Sequence, residues 1–170
     1  DWATPKTVTV TGVDDYVDDG DVTYFIQTSG TTSTDPLFNN LNVADVTVIN
    51  TDNDVAGIVV QPTSGLTTTE GGGQANFPIR LNSQPVSSVT VGLSSSNTGE
   101  GAVSPLSVTF NAGNWNLSQT ITVTGVNDDV DDGNQSYTIV TAPATSTDTR
   151  YGGTNASDVS VVNIDDDDAG

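Results

Sequence analysis

Thr7-Val-Thr-Val-Thr-Gly-Val13 and Thr120-Ile-Thr-Val-Thr-Gly-Val126 are one pattern written twice, 113 residues apart, with Ile121 in place of Val8 as the one difference. Each alternates an apolar residue with threonine, the period-two signature of a strand with one buried and one solvated face. In the second copy Ile121, Val123 and Val126 are the expected inward residues, and Thr120, Thr122 and Thr124 the outward ones.

Working outward from these segments, residues 1–57 fall on 114–170 without a gap. Trp2 meets Trp115, and Asp15, Val17, Asp18, Asp19 and Gly20 meet Asp128, Val130, Asp131, Asp132 and Gly133. Tyr24 meets Tyr137, Thr32 to Asp35 meet Thr145 to Asp148, and Asp45-Val46 meets Asp158-Val159. Asp52, Asp54, Ala56 and Gly57 meet Asp165, Asp167, Ala169 and Gly170. A match of that length marks an internal repeat. The chain of 170 residues then divides into a complete repeat, 56–170, and the C-terminal half of another, 1–55. A half-sandwich would expose its inner face and a strand edge. The expectation is that upstream sequence or another chain completes it by strand addition.

Strands are expected at 57–61, 74–82, 87–93, 106–110, 119–126, 134–142 and 157–164 in the full repeat. In the half repeat they are expected at 6–13, 21–29 and 44–51. No segment has a helical period. Seven short strands in a ~100-residue unit, separated by Gly, Asn, Asp and Ser turns, predict an all-β fold of immunoglobulin-like antiparallel β-sandwich repeats. Trp2 and Trp115 are expected to plug sandwich ends.

Composition narrows the function. Asp plus Glu number 22 against 3 Lys plus Arg, for a net charge of −19, and His, Cys and Met are absent. Phosphate binding needs a basic stripe, so nucleic acid is excluded as a partner. Anionic membrane surfaces are excluded for the same reason. Thiol chemistry, His acid/base chemistry and Cys–His zinc sites lack their residues. No apolar run reaches the ~20 residues of a membrane helix, so membrane insertion is not expected. No basic-then-apolar leader and no initiator Met opens the sequence, which reads as an excerpt or a processed product.

The acid is clustered. Asp128-Asp129-Val130-Asp131-Asp132-Gly133 joins two strands, and Asp165 to Asp168 ends the last one. Glu70 precedes Gly71-Gly72-Gly73, and Glu100 lies in a later loop. The half repeat carries Asp14-Asp15-Tyr16-Val17-Asp18-Asp19-Gly20 and Asp52-Asn53-Asp54. Solvated turns account for one Asp-Gly each but not for four consecutive Asp. Adjacent carboxylates repel by about 1 kcal/mol at ~4 Å even in water. A hard dication with six to eight oxygen ligands removes that repulsion, and calcium suits carboxylate and carbonyl donors better than magnesium.

The run Glu70-Gly-Gly-Gly, then Thr-Val-Thr-Gly, then Asp-Asp-Val-Asp-Asp-Gly-Asn-Gln-Ser-Tyr, then Val-Asn-Ile-Asp-Asp-Asp-Asp-Ala-Gly resembles the Calx-β family. The resemblance spans the whole full repeat and the C-terminal part of the half repeat. It implies a seven-stranded immunoglobulin-like sandwich with Ca2+ bound at one pole, as in sodium–calcium exchanger regulatory domains and tandem arrays of bacterial surface proteins. By position, the implied ligands are Glu70, Asp128, Asp132, Asp165, Asp166 and Asp167, with Val130 offering its carbonyl and Glu100 near a further acidic position. Asp15, Asp19, Asp52 and Asp54 are their counterparts in the half repeat, which lacks its Glu. Asn127 stands where the family often has Asp, and Asn53 interrupts the Asp run at 52–54.

The expected role is structural. It is a module of a long secreted fibre or adhesin stalk at a bacterial surface, with calcium stiffening the joints between repeats. The partners are then neighbouring repeats of the same chain or identical chains. Two alternatives stand beside it: a filament subunit completed by a neighbour's strands, and a carbohydrate- or partner-binding accessory module using Tyr16 and Phe25. Catalysis is not expected, since aromatic sugar platforms are scarce and the Asp clusters repeat. Ser and Thr make up about a quarter of the chain. Thr31–Thr34 and Thr145–Thr147 are the candidate glycan positions. The sequons at Asn116, Asn134 and Asn155 have no counterparts in the half repeat, which argues against N-glycans. Arg80 and Arg150 have no evident anionic constellation.

Overall fold

The computed structural model describes residues 3–168. Trp2, Ala169 and Gly170 of the repeat alignment lie outside the described residues. Two compact units are present. Unit 1 comprises Asp1–Asp15 and Asp19–Asn53, and unit 2 comprises Tyr16–Asp18 and Asp54–Gly170.

Unit 2 is an immunoglobulin-like β-sandwich. Its strands are β3 (Ile58–Val60), β4 (Leu66–Thr69), β5 (Gln74–Leu81), β6 (Val89–Ser95), β7 (Gly101–Ser104), β8 (Ser107–Phe110), β9 (Gln119–Gly125), β10 (Gln135–Thr141) and β11 (Val159–Ile164). One sheet runs β4-β11-β10-β6-β8 and the other β3-β5-β9-β7. Every pair is antiparallel except β4 with β11. Period-two alternation sends Phe77, Ile79 and Leu81 of β5 and Ile121 and Val123 of β9 inward. They meet Val89, Val91, Val108, Phe110, Tyr137, Ile139, Val159 and Val161 of the other sheet. Each such side chain contributes roughly 1.5–3 kcal/mol by leaving water.

Two strands of unit 2 escape the sequence reading. β4 offers one apolar residue, Leu66, followed by three threonines, and β7 is Gly-Ala-Val-Ser. Neither is long or β-branched enough at its inward positions to show alternation. Their existence is tertiary: β7 pairs with β9 and β4 with β11.

Trp115 is half-buried against the core, and its carbonyl accepts from Leu81 N at 2.9 Å. Tyr16, within the same unit, lies across it with ring centroids 5.9 Å apart. Arg150 Nε is 3.4 Å from Asp18 Oδ1.

Unit 1 contains one hairpin, β1 (Val22–Ile26) with β2 (Val46–Asn50). Its register runs from Val22↔Asn50 to Ile26↔Val46, and that of β10–β11 from Gln135↔Asn163 to Ile139↔Val159. Every index differs by 113. The hydrogen bonds that close the hairpins repeat as well. Asn50 Nδ2 donates to Val13 O at 3.2 Å and Asn163 Nδ2 to Val126 O at 3.1 Å. Gly20 N donates to Asp52 Oδ2 and Gly133 N to Asp165 Oδ2, both at 2.6 Å. Thr28 N and Thr141 N donate to Asp45 and Asp158, both at 2.8 Å.

One expected strand is absent. Residues 6–13 form no ladder, although their counterpart is β9. The reason is the lack of partners. β9 is held between β5 and β7, and unit 1 has no equivalent of either. Alternation alone does not make a strand without a neighbour to bond.

Candidate metal centre

The acidic site of unit 2 is built by the parallel β4–β11 ladder. Its rungs are Leu66↔Val161, Thr67↔Val162, Thr68↔Asn163 and Thr69↔Ile164. Parallel strands end together, so the next residue of each, Glu70 and Asp165, emerges at the same end of the sheet. Glu70 N donates to Ile164 O at 3.0 Å, extending the ladder by one bond. The chain then turns back through Gly72, whose φ of 85° needs a glycine, and Gly72 N and Gly73 N both donate to Thr69 O.

The Asp run folds on itself. Asp165 Oδ1 accepts from Asp167 N at 2.9 Å, an Asx turn that brings the Asp167 carboxylate back toward Glu70. The β9–β10 connection anchors the other oxygen of Asp165 through Gly133 N, and Asn134 Oδ1 accepts from Asp165 N at 3.1 Å. The result is a group of carboxylates from Glu70, Asp165 and Asp167 whose ligand atoms lie within 4.8 Å of one another.

Glu70 is 2 % exposed. Its Oε2 and Asp167 Oδ2 are buried with no hydrogen-bond partner among the described residues. Burial pushes the Glu70 carboxyl above its ordinary range. The charges of Asp165, Asp128 and Asp167 add to this, and the Asp166 backbone N–H opposes it. Asp167 is also raised, first by burial and then by Asp129, Asp165, Asp166 and Asp128. These are the responses of carboxylates crowded together without a countercharge. An all-oxygen donor set with two orphaned buried carboxylate oxygens fits a hard dication.

The other expected ligands are placed as follows. Asp128 acts electrostatically on both Glu70 and Asp167, and its Oδ1 accepts from Val130 N at 2.9 Å. Val130 O accepts from Asp132 N at 2.7 Å, leaving its second lone pair. Asp132 is exposed, and Asp166 is exposed with its Oδ2 beside Gly71. None of Asp128, Asp132 and Asp166 belongs to the three-carboxylate group. Glu100 is buried and outside that group, its Oε2 accepting from Asn163 Nδ2 at 3.3 Å. In unit 1, Asp52 caps Gly20 while its own N–H donates to Asp21 Oδ1, and Asp15 and Asp19 are exposed. Asp54 belongs to unit 2 and is half-buried. Among the described residues no second acidic group of this kind forms around Asp15, Asp19, Asp52 and Asp54.

Behind the site lies a buried polar network that the motif reading passes over. Thr68 Oγ1 donates to Asn163 Oδ1 at 2.9 Å and lies 3.0 Å from Tyr137 Oη. Asn163 in turn donates to Glu100 and to Val126 O. Burial pushes the Tyr137 phenol up, and nearby Glu100 adds to it. A Cβ on Gly125 would overlap the Thr69 carbonyl oxygen, so only glycine lets β4 lie this close. The network fixes the strand that delivers Glu70. The signal for it in sequence was the recurring Tyr of the hairpin.

No family model matches the chain. No curated protein matches it either. Solved structures do resemble it. The apo-form CBD1 domain of Calx aligns with a TM-score of 0.51 and 15% identity, covering 67% of this chain and 100% of that one. The calcium binding domain CBD12 of CALX1.1 aligns with a TM-score of 0.51 and 16% identity, covering 67% of this chain and 48% of that one. At this identity the likeness is one of fold, an immunoglobulin-like sandwich.

Proposed function

We propose that this chain is a calcium-binding structural module of a long repeat protein, a surface fibre or adhesin stalk outside the cell, in which calcium stiffens successive β-sandwich repeats. The observation that carries the reading is the pair of buried, unpartnered oxygens, Glu70 Oε2 and Asp167 Oδ2, converging with Asp165. A buried charge without a counterion is costly, and a dication satisfies three carboxylates at once. The fold likeness to a domain described as calcium binding supports the same ion. Glu70, Asp165 and Asp167 would hold it, and the charge of Asp128 acts on both Glu70 and Asp167. The repeat at 113 residues supports a role in which length and reach come from copying one unit.

Calcium titration into the chain, against a chelated control and a magnesium control, tests the reading. An affinity of about 10⁻⁴–10⁻³ M, as in extracellular modules, gives ~0.4–1.4 kcal/mol of stabilisation at 1 mM calcium. The melting temperature of unit 2 then rises by a few degrees. No shift with calcium up to several millimolar overturns the proposal.

A further inference from the structure

Unit 1 carries a groove of about 390 Å³, lined by Thr11, Gly12, Val13, Val22, Tyr24 and Asn50. The chain itself shows what fills such a groove. Adding 113 to each number gives Thr124, Gly125, Val126, Gln135, Tyr137 and Asn163 of unit 2. There the space is taken by β4. Thr68 Oγ1 bonds Asn163 Oδ1 and Tyr137 Oη, and the Thr69 carbonyl lies directly against Gly125. Gly12, Tyr24 and Asn50 keep all three recognition elements, and Asn50 Nδ2 holds Val13 O as Asn163 Nδ2 holds Val126 O.

The apolar face beside the groove tells the same story. Val8, Val10 and Val46 are 80, 42 and 56 % exposed, whereas Ile121, Val123 and Val159, their counterparts, are wholly buried. Phe77 and Ile79 of β5 and Val89 and Val91 of β6 are among the residues that cover them in unit 2. Among the described residues no strand pairs with either edge of the β1–β2 hairpin, whereas β10–β11 is flanked by β6 on one side and β4 on the other.

We propose that the groove and exposed face of unit 1 are a docking site for the front half of a second repeat of this kind, a polypeptide with the strand chemistry of residues 56–113. Its leading strand, an apolar residue followed by Thr-Thr-Thr-Glu like Leu66–Glu70, lies parallel to β2. It seats a threonine hydroxyl between Tyr24 and Asn50 and a carbonyl against Gly12. A second strand of the β6 type bonds the free edge of β1, and strands of the β5 and β7 types flank residues 6–13. The inference stands apart from the metal reading, because it rests on apolar cover and backbone pairing.

The test extends the full chain by placing a second copy of residues 56–113 directly before residue 1, which makes the added strands intramolecular. Amide exchange is followed at residues 6–13, 22–26 and 46–50, with calcium and with chelator. Expected is a slowing of roughly a hundredfold or more at all three segments relative to the original chain, in at least one condition. A Gly12→Val change in the extended chain, whose side chain meets Asn50 Oδ1 and fills the space the carbonyl must take, should abolish it. Unchanged exchange in both conditions overturns the proposal. So does protection that survives Gly12→Val, or concentration-dependent protection of 46–50 in the original chain, which would mean that two hairpins cover each other.

Discussion

Glu70 and Asp165 are the first residues beyond the last rung, Thr69↔Ile164, of a parallel pair of strands, and that register sets their carboxylates side by side. No loop search is needed to bring them together. The same ladder that closes the sandwich edge also delivers the two acids to one end of the sheet, and the Asx turn at Asp165 adds Asp167.

Replacing Glu70 by Gln separates metal binding from folding. The amide removes a buried charge that repels Asp165, Asp128 and Asp167. Without metal the variant is therefore expected to melt at or above the parent temperature. With calcium the order reverses, because a charged ligand is lost. An affinity loss of about tenfold or more, equivalent to ~1.4 kcal/mol, should appear by calorimetric titration. If the variant binds calcium as tightly as the parent, Glu70 is not a ligand.

The raised carboxyls of Glu70 and Asp167 give the metal-free protein a particular pH response. Both groups hold protons more tightly folded than unfolded. Their contribution to stability is therefore full below their ordinary values of 4.5 and 3.8, and it is lost as pH rises through the raised folded values. In chelator, lowering pH through the carboxyl range should bring a gain from these two groups, and that gain should disappear in the Glu70→Gln, Asp167→Asn double variant. With calcium bound, protons compete for the same oxygens and acidification destabilises instead. Urea midpoints across pH, with and without calcium, read both slopes; parallel slopes would contradict the assignment.

How much of this was legible beforehand depended on what each residue shows by itself. Alternation in Thr120–Val126 and in Gln135–Thr141 is strong, because each strand buries one face of β-branched residues. The repeat also carried its hairpin register and three pairs of capping bonds intact. β4 was invisible because its three threonines have no apolar alternation; its position comes from Thr68 bonding Tyr137 and Asn163, residues 69 and 95 positions away. Residues 6–13 had the pattern but not the partners. Glu70 was found as a residue, yet its burial and its rung beside Asp165 required the ladder. Glu100, which the resemblance puts near a further acidic ligand position, accepts from Asn163 Nδ2, a contact that no sequence pattern shows.

Two glycines near the site should respond to alanine for different reasons. At Gly125 the new Cβ would overlap the Thr69 carbonyl, which belongs to backbone and cannot swing away. Gly125→Ala should push β4 off the sheet edge, costing at least about 3 kcal/mol, and calcium affinity should fall with it. At Gly133 nothing lies within 4 Å of the Cβ, but φ is 73°. The cost there is only the left-handed backbone, about 1–2 kcal/mol. Denaturant midpoints for the pair would distinguish the two mechanisms, and equal costs would contradict them.

The buried hydroxyl of Tyr151 closes the opposite accounting, far from any carboxylate cluster. It accepts from Ser83 N at 3.1 Å, lies 2.9 Å from Ser83 Oγ and donates to Ser83 O at 2.7 Å. Both residues are buried, Tyr151 at 1 % exposure and Ser83 at 0 %. Tyr151→Phe keeps the ring but leaves the Ser83 backbone N–H and carbonyl without these partners. Each buried polar group so abandoned costs about 1–3 kcal/mol, so a loss of roughly 2–4 kcal/mol is expected from the pair. Calcium affinity should be unchanged, since the hydroxyl bonds only Ser83 and none of Glu70, Asp165 and Asp167. A variant that lost calcium affinity as well as stability would show that the sandwich transmits strain from this end to the acidic one.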